Sequence, residues 1–174
     1  MPGRAQGFTL HGLTIRPAGE NDRDALVALA ICTARTNYTP FLGRDAIETW
    51  IAGGGVTDHV DTHLGACRVA EQDGDIVGFC VTKGPLIDLL MVAPAHQRRG
   101  IGRALLADAE ARLFAEHAAI RLESFADNSA ANAFYMSQGW QPGELVADQD
   151  TGIRTIGFAK RRAARSTPMP PDGK

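Results

Sequence analysis

Residues Gln97 to Gly102, Gln-Arg-Arg-Gly-Ile-Gly, lie between an apolar run and a long amphipathic stretch. A loop that opens into a helix leaves backbone N–H groups without intrahelical partners, and the helix dipole adds partial positive charge at the same end. Gly100 and Gly102 let the chain turn tightly and a ligand approach with no Cβ in the way, while Arg98 and Arg99 bring formal charge. These residue types in this order make a cradle for a phosphate or pyrophosphate. Two other phosphate loops fail on spacing. A P-loop needs four residues between its glycines and then Gly-Lys-Ser/Thr, and a dinucleotide fingerprint needs a third glycine where this chain has Leu105.

The elements that must position this loop follow from periodicity. Leu86–Val92 is almost continuously apolar, which predicts a central strand buried on both faces. After the loop, Ile101, Leu105, Ala109 and Leu113, supported by Leu106, form a stripe at spacing four, the mark of a helix packed on a sheet. Upstream, Leu13–Ala18 reads as a strand, and a helix follows from an N-cap at Asn21 or Asp22. Thr36–Gly43 reads as a loop, Arg44–Ala52 as a short helix and Gly53–Ala66 as another loop. Asp73-Gly74 joins Cys67–Glu71 to Ile76–Thr82 in a hairpin. Downstream come a strand at Ala119–Ala126, a helix from Asp127 or Asn128 ending at Gly139, and two closing strands. The fold class is α/β with a mixed sheet and helices on its faces.

At 174 residues the chain is read as one domain over residues 12–160, with a flexible N-terminus at 1–11 and a disordered tail at 161–174. A net charge of −2 gives no global attraction for nucleic acid or an anionic membrane, so any anion site must be local. With no apolar leader or span, and three separated cysteines, Cys32, Cys67 and Cys80, read as buried reduced thiols, the expectation is a cytoplasmic protein.

The stretch "LLMVAPAHQRRGIGRALL" resembles the acetyl-CoA-binding signature of the GNAT superfamily of N-acetyltransferases, with Val92, Pro94, Gln97, Gly100 and Gly102 in place. A second block, "DNSAANAFYMSQGW", is similar to the family's other motif through Asn128, Ala131, Phe134, Tyr135 and Gly139, with Trp140 where Phe is usual. The resemblance implies a mostly antiparallel sheet of six to seven strands flanked by about four helices, and acetyl-CoA as cosubstrate. It implies cofactor contacts at Leu90, Met91, Val92, Gln97, Arg98, Arg99, Gly100, Ile101, Gly102, Arg103, Asn128, Ala131 and Tyr135.

Acetyl transfer to a primary amine by direct attack needs a proton for the departing thiolate and an acceptor for the amine's proton. Tyr135 is the candidate acid, a phenol of pKa ~10 facing a thiol of pKa ~8.5. Asn128, Ala131, Asn132 and Tyr135 share one helix face, with Phe134 turned to the core. Asp88 shares strand parity with Leu90 and Val92 and is the first candidate base; Glu123 on the next strand is the second. Tyr38 and Phe41 are expected to wall the acceptor pocket, backed by Trp50. His59 and His63 stand four apart, but the glycines before them argue against a helix and no third ligand has zinc-like spacing, so no metal is expected. The alternative function is a non-catalytic acyl-CoA-binding domain. Expected partners are acetyl-CoA and an amine, with neither nucleic acid nor membrane, and the C-terminal strands leave a homodimer open.

Overall fold

The computed structural model describes residues 11–163. β1 (Leu13–Pro17) leads to α1 (Arg23–Thr33), which runs through a wide turn at Ala34–Tyr38 into the single turn α2 (Thr39–Leu42), then α3 (Arg44–Ala52) and α4 (Gly55–His63). β2 (Cys67–Gln72), β3 (Asp75–Lys83) and β4 (Leu86–Val92) follow, then α5 (Ile101–Glu116), β5 (Ala119–Phe125), α6 (Ser129–Ser137), β6 (Gln141–Ala147) and β7 (Arg154–Arg161). The seven strands form one sheet in the order β1-β2-β3-β4-β5-β7-β6. Every neighbouring pair is antiparallel except β4 and β5, which α5 connects as a crossover. The expected flexible ends lie outside the described residues apart from His11 and residues 161–163, and β7 continues one residue past the expected boundary.

Each face of the sheet has its own core. The predicted stripe of α5, Ile101, Leu105, Leu106, Ala109 and Leu113, is buried against Ile87, Val92, Ile120 and Leu122. On the other face Leu26, Leu29 and Ala30 of α1 and Val56 and Val60 of α4 cover Val69, Phe79, Val81 and Met91. Tight approach explains Gly78: a Cβ there would lie 2.9 Å from the Met91 carbonyl oxygen and 3.0 Å from Leu105.

Three expectations need correction. Gly53–Ala66 is helical, not a loop: Gly54 takes a left-handed conformation (φ 83°) that stops α3, and α4 starts at once. Val56 and Val60, one turn apart, bury on α1, and this tertiary gain outweighs the poor helix propensity of glycine. A side chain at Gly55 would collide with the Trp50 indole, so that glycine is set by packing. Thr36–Gly43 is likewise mostly helical, because nothing breaks α1 before Pro40, which sits in the first turn of α2 where its missing N–H costs nothing. Finally, Cys32 is exposed on α1, while Cys67 and Cys80 are buried and their thiols pushed up to about 12 by burial.

Glu110 ties three elements together. It accepts from the Trp140 indole N–H at 2.8 Å and from Lys160 Nζ at 2.8 Å, and Lys160 also donates to the Gln138 carbonyl at 2.8 Å. The hydrogen bond explains how Trp is accommodated at position 140, where its ring is 1% exposed. Glu110→Ala should lower unfolding stability by about 2–3 kcal/mol, since it strands a buried indole N–H and a half-buried ammonium. A urea midpoint unchanged from wild type would refute this role.

Candidate functional site

The site begins where the sheet comes apart. β4 and β5 pair only at Leu86 with Arg121 and Ile87 with Leu122, and beyond that the strands diverge. At the same place β4 is bulged: Thr82 faces Ile87 and Val81 faces Leu89, so Asp88 is an extra residue with no partner on β3. The bulge breaks the alternation of faces. Ile87, Leu90 and Val92 face α5, whereas Leu89 and Met91 face α1. Asp88 therefore does not share a face with Leu90 and Val92 as uninterrupted parity predicts. It points to α4, with Oδ2 3.3 Å from His59 Nε2 and Oδ1 3.0 Å from Lys83 Nζ.

The divergence opens a cleft of about 330 Å³. β4 lines it from Ile87 to Met91, β5 from Leu122 to Phe125, α6 through Asn128, Ala131 and Tyr135, and α4 through Val56, His59 and Val60. Ala30, Tyr38, Trp50 and Thr155 complete the wall. Burial holds the His59 imidazole below its ordinary range, with Asp88 pulling the other way, which favours the neutral ring. Glu123 reaches the cleft from β5 as an exposed carboxylate.

The loop Gln97–Gly102 adjoins the cleft. Gln97 Nε2 donates to the Val92 carbonyl at 2.9 Å, pinning the loop to the end of β4. Arg98 (φ 63°) and Gly100 (φ 92°) are left-handed, and Gly100 caps α5. The first helical bond at this end runs from Ala104 N–H to the Gly100 carbonyl at 3.0 Å, so the amides of Ile101, Gly102 and Arg103 have no partner within the helix. Arg98, Arg99 and Arg103 are exposed. A Cβ on Gly102 would meet nothing closer than 3.7 Å, at Val92, with Phe134 and Leu90 beyond. The fold itself thus tolerates a side chain there, and the glycine leaves space between the loop and the cleft.

α6 is held rigidly over β5. Asn128 caps it by accepting from the Ala131 amide at 3.2 Å, and buried Asn132 donates to the carbonyls of Phe125 and Ala126 at 3.1 and 3.0 Å. The side chain of Asn128 is therefore engaged in structure while the residue lines the cleft. Tyr135 is 8% exposed and lines the cleft with Asn128 and Ala131, while the partly buried Phe134 packs against the α5-side core and does not line it. Its ring packs on Phe134, Trp140 and Phe158, and burial raises the phenol above its ordinary pKa, keeping it protonated. Tyr38, Phe41 and Phe125 form an aromatic cluster with centroids 5.3–5.8 Å apart. Met91 lines the cleft at the end of β4 with its side chain buried in the α1-side core. Phe125, His59 and Lys83 were not read from sequence as site residues. The available signal was the shared period of Val56, Val60, His59 and His63, which is that of a helix.

Residues 63–142 match the family model described as "Acetyltransferase (GNAT) domain". The chain is 36% identical over 123 residues to the mycothiol acetyltransferase of Kineococcus radiotolerans, an alignment covering 67% of this chain and 38% of that protein. The PaiA N-acetyltransferase from Thermoplasma acidophilum, solved in complex with coenzyme A, superposes with a TM-score of 0.72 at 20% identity, over 86% of this chain and 99% of that one. The chain belongs to the GNAT superfamily. A second curated relative of this GNAT domain, the peptidyl-lysine N-acetyltransferase YiaC of Escherichia coli, is 33% identical over 88 residues, covering 50% of this chain and 58% of the relative. The chain thus spans less than two thirds of the length of either. Among the described residues no helix is long and apolar enough to cross a membrane.

Because Asn132 fixes the turn that carries Tyr135 into the cleft, Asn132→Leu should cost about 1–3 kcal/mol of stability, read as a lowered urea midpoint. An unshifted midpoint would show that the two carbonyls find other partners.

Proposed function

We propose that this GNAT domain transfers the acetyl group of acetyl-CoA to a primary amine by direct attack in a ternary complex. The observation that carries the reading is the parting of β4 from β5 beside the helix-capping loop, with Tyr135 and Asp88 both in the opening. The names of the relatives support it: one is an acetyltransferase, another acetylates peptidyl-lysine, and a structural neighbour was solved with coenzyme A.

The residues fit the cosubstrate at both ends. The free amides of Ile101, Gly102 and Arg103 suit a pyrophosphate, helped by the helix dipole and by Arg98 and Arg99. Unpaired backbone between Asp88 and Val92, on the edge that β5 abandons, suits the amide-bearing arm of the cosubstrate, which can add as a strand beside Leu90. The acyl group then lies in the cleft between β4 and α6.

In the transfer the amine nitrogen attacks the thioester carbonyl carbon; the C–N bond forms and the C–S bond breaks. The proton shed by nitrogen passes to Asp88, directly or through His59, whose Nε2 lies 3.3 Å away. Tyr135, kept protonated by burial, donates its O–H proton to the departing sulfur. The products are an amide and the free thiol. Glu123 is the second carboxylate within the cleft. The aromatic wall of Tyr38, Phe41 and Phe125, with Trp50 at the rim, holds the acceptor.

Acetyl-CoA at a hundredfold excess over Kd should stabilise the protein by about 2.7 kcal/mol, seen as a rise in Tm. Gly102→Ala keeps the fold, since its Cβ meets only ordinary contacts, but should shrink the rise; a wild type that does not shift sinks the reading. Tyr135→Phe should retain the shift and lose about 100-fold in kcat, measured as thiol release with an amine panel. Undiminished turnover would remove Tyr135 as the acid.

A further inference from the structure

Among the described residues, His59, His63 and Asp88 are the one group of three side chains whose metal-ligating atoms all lie within 4.8 Å of one another. They come from two elements. His59 and His63 stand at i and i+4 on α4, so their imidazoles leave the same face, with ring centroids 4.7 Å apart. Asp88 is turned toward them by the bulge in β4. The segment is helical, which sets both histidines on one face, and the third ligand arrives from a strand distant in sequence.

Two of the atoms have no hydrogen-bond partner. His59 Nε2 and Asp88 Oδ2 are shielded from solvent and make no hydrogen bond, although they face each other at 3.3 Å. Buried polar atoms are almost always satisfied, and a nitrogen and an oxygen left open to each other are what a cation between them would occupy. Bonds of ~2.0–2.1 Å in a tetrahedral zinc site put neighbouring ligand atoms ~3.3 Å apart. The pair already has that separation, and a ring nitrogen of His63 lies within 4.8 Å of both atoms. Two imidazoles and one carboxylate select zinc, cobalt or nickel over magnesium or calcium, which prefer all-oxygen sites. Three protein ligands leave a further position open.

We propose that His59, His63 and Asp88 bind a divalent first-row transition cation such as Zn²⁺ in the wall of the cleft, and that the bound ion blocks acetyl transfer. The second half rests on the function proposed above, since the ion occupies the same Asp88 and His59 atoms that receive the amine's proton. Lys83, 3.0 Å from Asp88 Oδ1, sets a positive charge beside the site and weakens binding, which makes the ion a reversible occupant.

The test uses the full chain, freed of metal by chelator and titrated with Co²⁺, with Zn²⁺ then added in competition. Wild type should show the intense visible absorption of four-coordinate Co²⁺ at one ion per chain. His63→Ala should bind at least about tenfold more weakly, and Lys83→Met more tightly. Zn²⁺ should inhibit wild-type thiol release at the concentrations that displace Co²⁺, while His63→Ala keeps its basal turnover and resists by the same factor. Absence of the cobalt band, or equal binding by wild type and His63→Ala, overturns the site; binding without inhibition overturns its effect. The band needs no acetyl-CoA, so a band without turnover sinks the acetyltransferase reading and leaves the metal site standing, and turnover without a band does the reverse.

Discussion

A parallel ladder of two register pairs, Leu86 with Arg121 and Ile87 with Leu122, joins the first four strands of the sheet to the last three, and the site depends on how soon it ends. A longer ladder would satisfy the backbone of Asp88–Val92 and close the cleft. A shorter one would leave α5 as the main link between the halves. The extra residue at position 88 falls at the end of the ladder, where it both re-aims the carboxylate and increases the local twist that carries the strands apart. α5 starts just beyond the open end of β4, so its unpaired amides face the same region.

The two walls of the cleft have different relations to the family. The loop, β4, β5 and α6 all lie within residues 63–142, the span that the family model matches. Tyr38, Trp50 and His59 lie before it. The wall facing the acceptor in our reading is thus built from α1–α4, whose packing depends on small local features such as Gly55 under the Trp50 indole. Divergence there alters the shape of the cleft without touching the loop.

Much of this was legible in the residues. The hairpin at Asp73-Gly74, the bounds of β4 and the buried stripe of α5 follow from turn chemistry and from periods of two and 3.6, and the structure has them as read. The family membership and mixed sheet were legible too, from two motifs in order. What escaped has physical causes. A bulge leaves no mark in a single sequence, so the face of Asp88 was assigned by an alternation that the chain interrupts. α4 was hidden because glycine propensity is a weak local signal and the burial of Val56 and Val60 on α1 is not local. Without the helix, nothing in the sequence sets His59 and His63 on one face.

The uneven burial of the thiols has a practical consequence. Cys67 and Cys80 are sealed in the sheet with their ionisation suppressed, whereas Cys32 stands exposed on α1. Thiolate is the reactive form, so a maleimide dye reaches Cys32 first and labels the folded chain at a single position without any substitution. That position lies one turn and a half before Tyr38, on the helix that runs into the aromatic cluster. A fluorophore attached there would report on the α1 side of the cleft while leaving the loop Gln97–Gly102 untouched.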